Sequence, residues 1–205
     1  MRMRNPKDKD IVLANCDFYY DLNNEFKSNA PIHLEVGMGK GDFIVGMAKN
    51  FPNINFIGVE KYSSVAVIAI KKIKEEKLEN LKVIVSDIVK LEDVLKNKID
   101  TIYLNFSDPW PKDRHEKRRL THENQLKVYD KLFKGQNKII MKTDNDGLFE
   151  YSLESLKNYG YNLDNVIYDL HKTKRFNILT EYERKFSDKG VKIKYIEAIK
   201  DKEVI

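Results

Sequence analysis

From Pro31 to Asn158 short apolar runs alternate with segments of helical period, and no other property of the chain limits its fold so tightly. Runs at 32–36, 55–60, 81–86, 101–106 and 138–142 have strand length, while 42–50, 63–77, 89–95, 122–133 and 145–158 read as helices. Strands that follow one another through helices pair in parallel by right-handed crossovers, because the chain must be carried back before the next strand begins. The expectation is an α/β protein: a doubly wound, mostly parallel sheet with helices on both faces. Beyond Gly160 the beat fails. Residues 165–170 and 191–199 read as two strands without a convincing crossover helix, which predicts a terminal antiparallel pair at one edge and about seven strands in all. Residues 1–15 are polar and read as an arm, and Phe18, Tyr19, Leu22 and Phe26 recur at helical spacing, predicting a short edge helix over 16–26. No internal repeat or low-complexity linker divides the chain, so a single domain is expected over residues 1–205.

Charge and cysteine usage narrow the setting. The formal charge is +5 with a pI near 9.0, an excess that permits an anionic partner. Only seven of the 37 basic residues are arginine, yet Arg114, Arg118 and Arg119 fall together, which a general lysine bias does not produce. Cys16 is the single cysteine, so no disulfide framework or cysteine metal site is available and a reducing, cytosolic setting is expected. Residues 1–8 are too polar for a signal peptide, and no apolar run approaches the ~20 residues that span a bilayer. No His/Asp/Glu spacing points to a metal, and His33, inside a strand, reads as a core residue.

The chemistry gathers at the strand ends. Glu35-Val36-Gly37-Met38-Gly39-Lys40-Gly41 lets the backbone turn tightly after a strand and approach a ligand closely. Its spacing is G-x-G-x-G, not the G-x-G-x-x-G of dinucleotide folds, and no Gly-Lys-Ser or Gly-Lys-Thr follows, which excludes a P-loop. A carboxylate at Glu35 repels a pyrophosphate but suits the ammonium of an amino-acid moiety. S-Adenosylmethionine carries such a tail on a nucleoside without phosphate. Glu60 ends the second strand about 20 residues past the glycines, where an acid accepts ribose hydroxyls or is simply a solvated strand-end charge. Asp87, after Ser86, ends the third strand within reach of an adenine amino group, and Asp108 follows the fourth. Four acids at four successive strand ends share the edge where open α/β sheets bind ligands.

The stretch Ser107-Asp108-Pro109-Trp110-Pro111-Lys112-Asp113-Arg114-His115-Glu116-Lys117-Arg118-Arg119 combines a carboxylate, an aromatic, two prolines and dense basic charge. Together with residues 35–41, Glu60, Leu120-Thr121, Lys142-Thr143-Asp144 and Thr180-Glu181-Tyr182-Glu183, in that order over nearly the whole chain, it closely resembles the tRNA (guanine-N7-)-methyltransferase family. The glycine loop is generic to Rossmann-like class I methyltransferases. Asp-Pro-Trp-Pro-Lys followed by His-x-Lys-Arg-Arg, and the late Thr-x-x-Glu, are specific to this family. The resemblance implies methyl transfer from S-adenosylmethionine, leaving S-adenosylhomocysteine, to N7 of a guanine in the variable loop of tRNA, by a cytoplasmic monomer or homodimer. It implies cofactor contacts at Glu35, Gly37, Gly39, Gly41, Glu60, Lys61, Ser86, Asp87 and Asp108, with Asp108 catalytic. Substrate contacts are implied at Lys112, Asp144, Thr180, Glu181, Tyr182 and Glu183, and RNA contacts at Arg114, His115, Lys117, Arg118 and Arg119. The N-terminal arm departs from the family's pattern and is short.

Guanine N7 has a free in-plane lone pair, so attack on a sulfonium methyl needs no general base and catalysis rests on positioning and electrostatics. Asp108 then stabilises the purine as it becomes cationic or holds its edge by accepting N–H groups. Trp110 either stacks on the base or wedges the loop. Thr180 through Glu183 has the spacing of a helix capping box and can also present Thr180 and Glu183 to the base. Asp144 reads as a helix cap or a substrate contact, and the arginines as phosphate contacts or a solvated charge run. Two rivals remain: a methyltransferase for an amine, a protein or a small molecule, and an RNA-binding protein without activity, against which the intact acidic set stands.

Overall fold

The computed structural model describes residues 6–201. In chain order they form α1 (Lys9–Ala14), β1 (Ile32–Val36), α2 (Asp42–Asn50), β2 (Asn55–Glu60), α3 (Ser63–Glu76), β3 (Leu81–Val85), α4 (Glu92–Leu95), β4 (Thr101–Asn105), α5 (Glu123–Leu132), β5 (Asn137–Thr143), α6 (Asp146–Asn158), β6 (Asn162–Ile167), α7 (Glu181–Ser187) and β7 (Lys194–Lys200). The strands make one seven-stranded sheet in the order β3-β2-β1-β4-β5-β7-β6. The first five pair in parallel, and β7 runs antiparallel to both β5 and β6. The expected mostly parallel sheet with an antiparallel edge is what forms.

Alternation along each strand divides the core between the two faces. Leu34, Val36, Ile57, Val59, Ile102 and Leu104 face a cluster that includes Leu126, Tyr129 and Phe149 of α5 and α6. Phe56, Val83 and Tyr103 face Phe43, Ile44 and Met47 of α2 and Ala66, Ile70 and Ile73 of α3. His33 is half-buried in β1 and packed among ring neighbours: its Nδ1 lies 3.0 Å from the Tyr103 hydroxyl, and burial pulls its pKa down to about 4, so the ring is neutral. The chain winds outward from β1 through β2 to β3, then crosses to β4 on the other side. That reversal opens a crevice at the carboxyl ends of β1 and β4.

Three expectations at the periphery are corrected. No helix forms over 16–26; the segment turns and lies against the outer edge of β3, where Tyr20 N donates to Val83 O and Val83 N to Phe18 O. Short polar side chains offer the backbone an alternative to helix there: Asn24 Nδ2 reaches the carbonyls of Asp17 and Tyr19, and Asp21 accepts from Asn23 N. The helix instead lies earlier, at α1. The expected strand at 165–170 begins and ends three residues sooner, at Asn162–Ile167, because its register with β7 fixes it and Leu170 turns inward as the buried first residue of a 3-10 turn. The expected helix at 89–95 is split into a 3-10 turn (Ile88–Lys90), capped by the Asp87 side chain, and the short α4.

Candidate active site

The crevice between β1 and β4 contains a cavity of about 380 Å³ lined by Glu35, Gly37, Met38, Gly39, Lys40, Asp42, Phe43, Val65, Asn105, Phe106, Thr180, Glu181, Tyr182 and Lys185. Glu35 is only 2% exposed. Its Oε1 accepts from Asn105 Nδ2 at 2.9 Å, while Glu35 Oε2 and Asn105 Oδ1 are buried with no hydrogen-bond partner among the described residues. Burial raises the Glu35 pKa to about 7, against the opposite pull of the Asn105 hydrogen bond and the Lys142 charge. Two orphaned acceptors beside a cavity are costly unless a donor arrives. A ligand ammonium, with three N–H groups, matches them.

The glycine loop shapes the rest of this wall. Gly37 and Gly39 take φ of +78° and +56°, and a Cβ there would stand in open space, so backbone conformation and an open approach call for glycine at both. Gly41 has a different reason: a Cβ would meet Ala69 Cβ at 2.8 Å, so Gly41 lets α2 pack on α3. Glu60 is buried behind the loop, with Oε2 accepting from Gly39 N at 3.1 Å and Oε1 from Tyr62 N at 2.8 Å. Ser86 N donates to the Glu60 carbonyl at 3.0 Å. Asp87 pairs with Lys61 at 2.8 Å, and although burial works against its charge, that lysine and Val89 N hold its carboxyl below the usual range. Glu60, Lys61, Ser86, Asp87 and Asp108 do not line the cavity itself.

Helix α7 closes the opposite side. Thr180 Oγ1 accepts from Glu183 N at 3.0 Å, so Thr180 is the N-cap. The Glu183 carboxylate does not reach back to complete a capping box. It is fully buried, with Oε2 on Lys142 Nζ at 2.8 Å and Oε1 accepting from Asn177 Nδ2 at 2.6 Å and facing His171 Nε2 at 2.7 Å. Burial works against its charge, but Lys142, His171 and Asn177 outweigh it and the pKa is lowered. Lys142, 3% exposed on β5, also donates to Asn177 Oδ1 at 2.7 Å and the Ile178 carbonyl at 3.2 Å, which engages all three ammonium hydrogens. Glu183 is thus an internal anchor of α7, closed to a substrate as the protein stands. In the same first turn of α7, Glu181 pairs with Lys40 at 2.9 Å and its N–H donates to Asp42 Oδ2 at 3.1 Å, tying the helix to the glycine loop.

Tyr182 is 44% exposed at the mouth, its ring against Phe106 and Phe186 at 5.1 and 4.5 Å. Burial, then the charges of Asp144 and Asp108, raise its pKa, so the hydroxyl remains protonated; it lies 3.5 Å from Asp144 Oδ2. The cap of α6 is Asn145, whose Oδ1 accepts from Leu148 N at 2.7 Å, which leaves the Asp144 carboxylate turned to Tyr182.

The segment after β4 makes a strained loop followed by a 3-10 turn (Asp113–Arg118). Phe106 and Trp110 both have positive φ, +50° and +41°, conformations that bulky residues avoid. Between them Asp108 is exposed, and its carboxylate accepts no hydrogen bond among the described residues. Trp110 packs with the Arg118 guanidinium at 4.7 Å and the His115 ring at 5.6 Å. Lys112, Arg114, Lys117 and Arg118 are exposed on one short turn, while Arg119 bends back under the loop.

Sequence reasoning does not single out Asn105 or Lys142 as site residues. The available signal is a polar residue inside an apolar strand run, since a buried strand tolerates Asn or Lys only with a partner. Among the described residues no group of three or more His, Cys, Asp or Glu is placed to hold a metal, and no helix is long and apolar enough to cross a membrane.

A protein-family model described as "Putative methyltransferase" matches residues 29–196. The chain is 46% identical over 209 residues to the tRNA (guanine-N(7)-)-methyltransferase of Halalkalibacterium halodurans, covering 97% of this chain and 95% of that one. It is 49% identical over 184 residues to the tRNA (guanine-N(7)-)-methyltransferase of Bacillus subtilis, covering 88% and 86%. Among solved structures, an antibiotic-related methyltransferase superposes with a TM-score of 0.62 at 20% identity, covering 98% of this chain and 96% of that one, a likeness of fold.

Proposed function

Since the chain belongs to the tRNA (guanine-N(7)-)-methyltransferase family, we propose that its cavity receives S-adenosylmethionine and that the adjoining mouth presents N7 of a tRNA guanine, in the variable loop, to the methyl group. The observation that carries the donor half is Glu35, a buried acid with an unpaired oxygen at the strand switch point. Glu35 and Asn105 would take the amino-acid ammonium, the open backbone at Gly37 and Gly39 would let the ligand lie against the loop, and Glu60 fixes that loop from behind. When bound, S-adenosylmethionine supplies a methyl group already made electrophilic by its sulfonium. The chain's own residues orient the acceptor. Asp108 offers an unpaired carboxylate to the base edge and to the positive charge the purine acquires, Tyr182 forms one side of the mouth, and the basic turn meets the RNA backbone. Unmodified tRNA incubated with labelled S-adenosylmethionine should yield 7-methylguanosine on nucleoside analysis. Label on another nucleoside position, or none while the cofactor still binds, would overturn the reading.

Glu35 also sets a pH dependence. With a pKa of about 7 its carboxyl is half protonated at neutral pH, and an ammonium binds only the ionised form, so cofactor binding releases a proton. Affinity should rise about fivefold between pH 6 and 7, where the ligand's α-amino group is still mostly protonated. Without cofactor the sign reverses for stability. The folded state holds this proton more tightly than the unfolded chain, so stability falls as pH rises from the ordinary 4.5 toward 7. Calorimetric titration in buffers of different ionisation enthalpy reads both affinity and proton release. A pH-independent affinity, or Glu35→Gln keeping the wild-type pH profile, would remove Glu35 from the ammonium site.

A further inference from the structure

The structure assigns Arg119 a positioning role: it holds the Asp108 loop in shape instead of joining its neighbours on the RNA backbone. Its Nε donates to the Pro109 carbonyl at 3.2 Å and its Nη2 to the Trp110 carbonyl at 3.1 Å. The face of the same guanidinium lies over the Tyr151 ring of α6, 4.3 Å from the ring centroid. Asp108 immediately precedes the two carbonyls so held. The loop needs such a restraint, because Phe106 and Trp110 on either side of Asp108 both occupy left-handed backbone that relaxes unless its surroundings fix it. A planar fork suits two carbonyls on successive residues, and stacking on Tyr151 fixes the plane of that fork to a helix. Lysine, a point charge, supplies neither property. Arg118, the next residue back, is exposed, with its guanidinium 4.7 Å from the Trp110 ring centroid. Two adjacent arginines thus divide the work: Arg118 outward to the RNA, Arg119 inward to the loop.

The kinetic part of the test rests on the methyltransferase reading, but a second readout does not. Trp110 is the only tryptophan, so its emission and its quenching by acrylamide report the loop with neither tRNA nor cofactor present. Arg119→Lys, which keeps the charge and guards against misfolding, should make Trp110 more accessible to quencher. It should lower kcat roughly 10²-fold, the size of effect that misplacing a reacting group produces, with KM for tRNA and the salt slope of binding kept. Tyr151→Leu, on a ring with no place among the expected RNA contacts, should shift both readouts in the same direction by less. Arg118→Gln supplies the contrast, raising KM and reducing the salt slope by about one. Loss of a unit of salt slope in Arg119→Gln, which removes the charge, with kcat intact would make Arg119 a phosphate contact and overturn the assignment. So would unchanged quenching together with unchanged kcat in Arg119→Lys. If the wild-type protein makes no 7-methylguanosine, the functional reading fails, while the quenching comparison still decides what Arg119 does.

Discussion

Asp108→Asn is expected to lower kcat about 10²–10³-fold while leaving tRNA affinity largely in place. The carboxylate is exposed and accepts no hydrogen bond among the described residues, so removing its charge orphans nothing and the fold should keep its stability. A free carboxylate on a loop held in strained backbone at Phe106 and Trp110 is arranged for a ligand, not for packing. On the proposed reading its contribution lies in the transition state, where the purine becomes cationic, whereas tRNA affinity comes mostly from phosphates. Single-turnover rates and equilibrium binding of unmodified tRNA separate the two. Equal losses in rate and affinity would show that Asp108 only helps the RNA to bind.

Lys142→Met is expected to destabilise the protein by about 3–5 kcal/mol, the cost of leaving one partner of a buried pair unmatched. Glu183 is fully buried and Lys142 only 3% exposed, so water cannot replace the lost ammonium, and His171 and Asn177 cover only one carboxylate oxygen. For a chain of 205 residues this corresponds to a melting temperature lower by about 6–20 °C. Denaturant unfolding measures it directly. The double variant Lys142→Met with Glu183→Gln should recover much of the loss, because the buried charge then goes with its partner. A loss under about 1 kcal/mol, the size of an exposed pair, would mean that the interior around Glu183 admits water.

Much of the architecture is legible in the sequence, and where reading fails the reason is local. Residues 42–50 and 55–60 fold as expected because their periodicity and their burial agree. Residues 16–26 have helical spacing of aromatics, but the open edge of β3 and the side chains of Asp21 and Asn24 compete for the same backbone. The start of β6 depends on its register with β7, which no local pattern records. The site divides in the same way. Glu35 is legible, since an acid inside an apolar strand before a glycine turn needs a donor to face it. Glu183 reads as a substrate contact because its spacing from Thr180 is local, while its partner Lys142 stands 41 residues away. Arg119 groups with Arg118 because adjacency in sequence hides that Arg118 is exposed over the Trp110 ring while Arg119 is half-buried on the Pro109 and Trp110 carbonyls.

The strand order has a consequence for the protein as it is made. β7, the latest strand in chain order, lies between β5 and β6, both translated before it. Until it emerges, β6 has no strand beside it, and β5 keeps an open edge on the side of the sheet where α7 must dock. Vectorial synthesis therefore delivers the glycine loop, Glu35 and the Asp108 loop first, then the α7 wall, and the strand that joins β5 to β6 after both. A nascent chain stalled before β7 presents a ragged sheet edge at β5 and an unpaired β6.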